Sequence, residues 1–110
     1  MKTTNYNQGE VRFHDNTRVV SITVRLFGTA RKAAGVSKID LDLPDDTTEA
    51  DLIWLLGYEI PSLVGPVISP ESRLLNPSHT LNLNGVMFVE DNLSLVTGDE
   101  ILLFSSQAGG

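Results

Sequence analysis

The chain has 110 residues, 41% hydrophobic and 20% charged, with eight Lys and Arg against fourteen Asp and Glu for a net charge of −6. This is enough for one globular domain with a modest core. It is too acidic, with Arg31-Lys32 as its densest basic feature, to favour a phosphate backbone. With no cysteine, the chain excludes disulfides, thiolate metal sites, Cys nucleophiles and persulfide carriers at once.

Residues 1–17 are polar, lack a sustained period and are read as a flexible extension. A brief alternation over Glu10–His14 leaves a short extra strand as the alternative. The opening MKTTNYNQGE has no apolar core of the signal-peptide kind, and no apolar run approaches the roughly 20 residues that span a bilayer. A cytoplasmic location and no membrane partner are expected. In VSITVRLF, residues 20–27, the alternation places Val20, Ile22, Val24 and Leu26 on one strand face. Ser21, Thr23 and Arg25 suit a solvated opposite face, whereas Phe27 does not.

GTARKAAGVS then reads as a glycine-bounded turn or one-turn helix. KIDLDLP alternates again, with Ile39, Leu41 and Leu43 inward, and Pro44 ends it because proline cannot donate to a ladder. The two strands suit a hairpin. DDTTEADLIWLLG is a helix start. Thr48 with Asp51 has capping-box spacing, and Asp46 with Glu49 competes for the same role. Leu52, Leu55 and Leu56 form the expected inward stripe, with Gly57 as a stop. Residues 58–78 hold four of the five prolines, which argues against a regular element.

Order returns in HTLNLNGVMFVEDNLSLVTGDEILLF. Leu81 and Leu83 alternate with Thr80 and Asn82, Asn84-Gly85 is a strong hairpin signal, and VMFVE returns as a short strand. After the VTGDE turn, Ile101–Phe104 is apolar on both faces, as in a central strand or one with a partner surface. The order β-β-α-irregular-β-β-β predicts a two-layer α+β domain with one main helix across a mixed sheet.

No internal pattern is catalytic. His14 and His79 lack companions at metal-ligand spacing, so no metal is expected. No glycine-rich phosphate loop follows a strand, and no serine sits in a nucleophile elbow. That directs attention to the end of the sequence, FSSQAGG. Six residues beyond Phe104 reach roughly 20 Å when extended. Gly109-Gly110 has no side chains to block entry into a narrow channel. Adenylation would turn the Gly110 carboxylate into an activated acyl group, and sulfide transfer would then give a thiocarboxylate, a sulfur carrier without a thiol.

The ordered set VRLFGTARKAAG, DLDLPDDTTEADLIWLL, LNLNG, VTGDEILLF and AGG resembles the small subunit of molybdopterin synthase, the MoaD-like branch of the ubiquitin-like sulfur carriers. The likeness covers about residues 19–57 and 79–110. It rests on Val24 to Phe27, Thr48 to Leu52, Asn84-Gly85, Gly98 to Glu100 and Gly109-Gly110. It implies a β-grasp domain over residues 18–104, with first and last strands parallel at the sheet centre, and a flexible tail over 105–110. It also implies a non-catalytic carrier that binds no cofactor itself. An adenylating enzyme of the ubiquitin-activating kind would use ATP and Mg²⁺ on Gly110, while Gly109 gives access. The large synthase subunit would then accept the sulfur for molybdopterin formation. Phe27, Leu102, Phe104 and Ala108 would contact partners, unless the leader or residues 58–78 cover that patch. Thiamine, tRNA-thiolation or cysteine pathways, conjugation of Gly110 to lysines, and an inert tail on an interaction module are the other readings. Three departures from the family stand out. Ser105-Ser106 replaces its usual prolines, which suggests a more flexible tail. Glu49 replaces an apolar residue, and residues 1–17 and 58–78 lack counterparts.

Overall fold

β1 (Val19–Leu26) buries Val20, Ile22, Val24 and Leu26, as its alternation requires. The computed structural model describes residues 18–88 and 93–106. The leader with His14, and Ala108, Gly109 and Gly110, lie outside the described residues. β1 pairs antiparallel with β2 (Lys38–Pro44), from Val19↔Pro44 to Arg25↔Lys38. Their connection is more than the turn or single helical turn expected: α1 spans Gly28–Ala34. Gly35 ends it at φ +78°, a left-handed position that glycine adopts without steric cost, and its N–H bonds Arg31 O at 2.9 Å. Ala30 is fully buried, so α1 adds to the core despite its length.

α2 (Glu49–Glu59) starts at Thr48 rather than Asp46. The Asp51 N–H donates to Thr48 Oγ1 at 3.1 Å, and the Thr48 N–H donates back to Asp51 Oδ2 at 3.5 Å. Leu52, Ile53 and Leu56 are buried, whereas Leu55 is only partly so; the inward stripe is therefore rotated from the expected one. Gly57 does not stop the helix. It is buried, and a Cβ there would lie 2.9 Å from an Arg73 guanidinium nitrogen and 3.2 Å from Val64 Cγ2. The glycine admits the following segment to close contact. The stop comes at Ile60, before Pro61, as the clash of proline with a preceding helical residue dictates.

Residues 58–78 form a 3₁₀ turn at Pro61–Leu63 and isolated bridges joining Val64, Ile68 and Leu75. The segment is irregular but tightly packed: Leu63, Val67 and Ile68 are fully buried in the same core as α2 and the inner faces of the strands.

β3 (His79–Leu83), β4 (Met87–Phe88) and β5 (Glu100–Ser105) complete a five-stranded sheet in the order β2-β1-β5-β3-β4. β1 and β5 are parallel, with register Thr23↔Glu100 to Leu26↔Leu103, and the other pairs are antiparallel. With α2 packed across it, this mixed sheet is an α+β, β-grasp fold. Asn84 (φ +56°) and Gly85 (φ +76°) make the β3–β4 turn with the paired positive angles of a type I′ turn. No helix among the described residues is long and apolar enough to cross a membrane.

The turn before β5 closes the sheet. Asp99 is buried; its carboxylate accepts the Val96 N–H at 2.9 Å and Asn84 Nδ2 at 3.2 Å. Its carbonyl accepts the Thr23 N–H at 3.1 Å, while the Gly98 N–H donates to Ser21 O at 2.9 Å. Asn84 also accepts the Glu100 N–H at 2.8 Å through Oδ1. Two turns far apart in sequence thus lock onto the start of β5. Asp99→Ala leaves two donors without their acceptor, and an equilibrium urea titration should show a loss of about 2 kcal/mol with unchanged slope.

Candidate functional site

The outer face of the sheet, away from α2, is divided by register into polar and apolar parts. Ser21 Oγ donates to Asp42 Oδ1 and Thr23 Oγ1 donates to Asp40 Oδ1, both at 2.7 Å across the β1–β2 pair. Arg25 Nε pairs with Glu100 Oε2 at 3.0 Å across β1–β5. These groups satisfy one another within the face, and so the early part of β1 offers little unmet hydrogen bonding.

Further along β1 and β5 the character changes. Ile101 and Leu103 enter the core, which leaves Leu102 and Phe104 half-buried on the outer face. Leu102 lies between Arg25 on β1 and Asn82 on β3, and Phe104 opposite Thr80. The Phe27 N–H bonds Leu103 O at 3.0 Å, which continues the parallel ladder past Leu26 and sets Phe27 next to Phe104. Phe27 is 44% exposed. Phe27, Leu102 and Phe104 therefore share one face and one end of the sheet, the end from which β5 leads to residues 107–110. Leu63, Val67 and Ile68 of the 58–78 segment are buried in the core on the helix side instead. Ala108, Gly109 and Gly110 lie outside the described residues.

The root of the tail is held more firmly than its small residues suggest. Ser105 belongs to β5 and pairs with His79, one residue beyond the boundary expected at Phe104. Ser106 donates its N–H to Ser78 O at 2.7 Å and its Oγ to Pro77 O at 2.8 Å. Proline at Ser106 could make neither bond. Ser106 thus holds the root of the tail by a hydrogen-bonded clasp. No local pattern in FSSQAGG signals this, because the partners belong to the proline-rich connection.

His79 sits beside the clasp. It is buried on the inner face, with Nδ1 2.9 Å from Ser78 Oγ and Nε2 without a partner among the described residues. Burial holds its pKa below the ordinary 6.5, since the imidazolium would be poorly solvated there. The histidine is a buried residue at the strand end, with Ser78 Oγ as its ring's one hydrogen-bond partner among the described residues. Among the described residues no group of three or more His, Cys, Asp or Glu side chains could hold a metal ion.

No protein-family model matches the chain, and no curated protein sequence does. Solved structures do. The crystal structure of SAMP1 from Haloferax volcanii is 26% identical, covering 82% of this chain and 99% of that one at a TM-score of 0.65. Small archaeal modifier protein 1 from Methanosarcina acetivorans is 22% identical, covering 84% and 99% at 0.65. A Pyrococcus furiosus protein described as molybdopterin converting factor, subunit 1, is 22% identical, covering 78% and 97% at 0.60. These structures support the likeness to the MoaD-like ubiquitin-like family in fold.

The unfolded chain binds a proton at His79 more readily than the folded one, so stability is full above about pH 6.5 and falls as the pH drops through that value. Urea midpoints measured between pH 7.5 and 5.5 should fall more steeply for the natural chain than for His79→Gln.

Proposed function

We propose that this MoaD-like ubiquitin-like chain is a sulfur carrier and the small subunit of molybdopterin synthase, with Gly110 as the carrying residue. The observation that carries this reading is the apolar end of the sheet. Phe27, Leu102 and Phe104 gather at the end of the sheet where β5 leads to the tail. Such an arrangement suits presentation of a reacting group to a partner that supplies the chemistry.

The proposed steps run through the Gly110 carboxylate. An adenylating enzyme binds ATP and Mg²⁺; a carboxylate oxygen attacks the α-phosphorus and pyrophosphate departs, leaving an acyl-adenylate. A sulfide equivalent then adds to the carbonyl carbon and AMP leaves, giving the thiocarboxylate. The large synthase subunit supplies the side chains that pass this sulfur to a pterin precursor. Gly109 keeps the approach to the carbonyl narrow, and Ser106 fixes where the tail begins. Gly110 lies four residues past Ser106, no more than about 13 Å along an extended chain. The partner's reacting groups must therefore come close to the apolar end of the sheet.

A second reading, conjugation of Gly110 to lysines of other proteins, is favoured by the likeness to small archaeal modifier protein 1. Activation is common to both readings, but the fate of the acyl group separates them. A cytoplasmic setting suits both.

Intact-mass measurement after incubation with the host's adenylating enzyme, ATP, Mg²⁺ and a sulfur source should show replacement of one C-terminal oxygen by sulfur. No such gain with an enzyme competent on another carrier would rule out the carrier reading. Lysine adducts bearing a Gly-Gly remnant would favour the modifier. Phe104→Asp should cost at most about 1 kcal/mol of stability and reduce capture of the large synthase subunit roughly tenfold or more. Unfolding of that variant would place Phe104 in the core and remove the docking argument.

A further inference from the structure

A separate exposed surface lies on the helix layer, on the far side of the molecule from the outer sheet face. Asp51, Trp54 and Tyr58 follow one another at i, i+3 and i+7 along α2 and share its outward stripe. Trp54 and Tyr58 are 52% and 65% exposed, yet their rings stack with centroids 5.7 Å apart and planes 11° from parallel. The pair is a preformed aromatic platform rather than two separate surface residues. Leu74, also exposed, comes from the segment that packs beside the helix.

The stretch of sequence that carries this platform is one-sided in charge. Residues 45–76 carry Asp45, Asp46, Glu49, Asp51, Glu59 and Glu71 against the single cation Arg73, and so account for nearly all of the chain's net charge of −6. Asp51 and Glu59 flank the stacked rings along the helix and are exposed. Arg73 illustrates what the platform attracts. Its guanidinium carbon lies 5.5 Å from the centre of the Trp54 ring. It reaches that position from a residue at φ +62°, with Nε buried and unpartnered among the described residues. Gly57 provides the space for it.

We propose that this face of α2 docks an arginine-bearing cationic segment of a partner protein. A guanidinium is planar, so it can lie on the outer face of Tyr58, which Trp54 backs, while bridging to a carboxylate at the rim; a lysine ammonium can do only the second well. The carboxylates repel a nucleic acid or an anionic membrane surface, which leaves a basic protein segment as the occupant that satisfies both the rings and the charge. The docking is independent of the sulfur-carrier reading, because it uses neither Gly110 nor the outer sheet face. A partner held here leaves the tail free.

The test uses the full chain, isotopically labelled, titrated with a short synthetic peptide of alternating arginine and leucine. Trp54 is the chain's only tryptophan, so its fluorescence reports the site directly. The expected result is saturable quenching, with amide shifts confined to residues 51–59 and 71–74. Binding should weaken about threefold with lysine in place of arginine and vanish with glutamine. Glu59→Gln should weaken it several-fold, and Trp54→Leu, followed by amide shifts and checked for retained spectral dispersion, about tenfold. Equal binding of the glutamine peptide, shifts centred on β1 and β5, or undiminished affinity in a folded Trp54→Leu would each overturn the proposal. Shifts at the same residues that grow with protein concentration alone would assign the face to a second copy and overturn it as well.

Discussion

The parallel pairing of β1 with β5 is the constraint on which the rest of this structure depends. Parallel neighbours cannot be joined by a hairpin, and everything between them has to serve as the crossover. Here that crossover contains β2, both helices, the proline-rich segment and the β3–β4 hairpin. Closure costs loop entropy, which the contacts made on return must offset. The Asp99 and Asn84 network supplies part of that return locally: it ties β1, the hairpin turn and the first residue of β5 at one place.

The same pairing decides what faces outward. A central strand contacts a neighbour on each side, so its outer-face residues are already half-shielded by β1 and β3. That makes Leu102 and Phe104 tolerable there, whereas on an edge strand they would invite aggregation. Phe27 is less shielded, and its exposure is held in place by the backbone bond to Leu103 rather than by packing alone. The polar pairs from Ser21 to Glu100 contain few unmet groups, so they add charge and shape without competing for a partner's hydrogen bonds.

Legibility in the sequence followed the range of the contacts involved. The alternation of β1 and β2, the Thr48–Asp51 cap and the Asn84-Gly85 turn are encoded within a few residues, and each is found as read. The Gly57 reading failed because local rules treat glycine as a helix end, whereas its role here is contact with Arg73 and Val64. Residues 58–78 were opaque for a related reason: proline excludes regular elements but says nothing about whether Leu63, Val67 and Ile68 are buried. α1 was under-read because seven residues between two glycines carry too short a period to distinguish from a turn. At the candidate site, the shared face of Phe27, Leu102 and Phe104 could be anticipated once first and last strands were taken as parallel. The Ser106 clasp could not, because Pro77 and Ser78 have no local reason to meet it.

That clasp changes what the tail can do. Six free residues beyond Phe104 would give a reach of roughly 20 Å and allow a partner to dock loosely almost anywhere near the sheet's end. With Ser105 in the ladder and Ser106 bonded to Pro77 and Ser78, the span from the anchor to Gly110 shrinks to about 13 Å. On the proposed carrier reading, an enzyme acting on Gly110 would have to bring its reacting groups within that radius, near the end of the sheet that holds Phe27 and Phe104. On the carrier reading, the apolar contact is therefore a consequence of tail length as much as a source of affinity. On the same reading, a tail anchored at Ser106 would lose less ordering entropy were Gly109 and Gly110 to enter a partner's channel, and would hold the carboxylate at a higher effective concentration there.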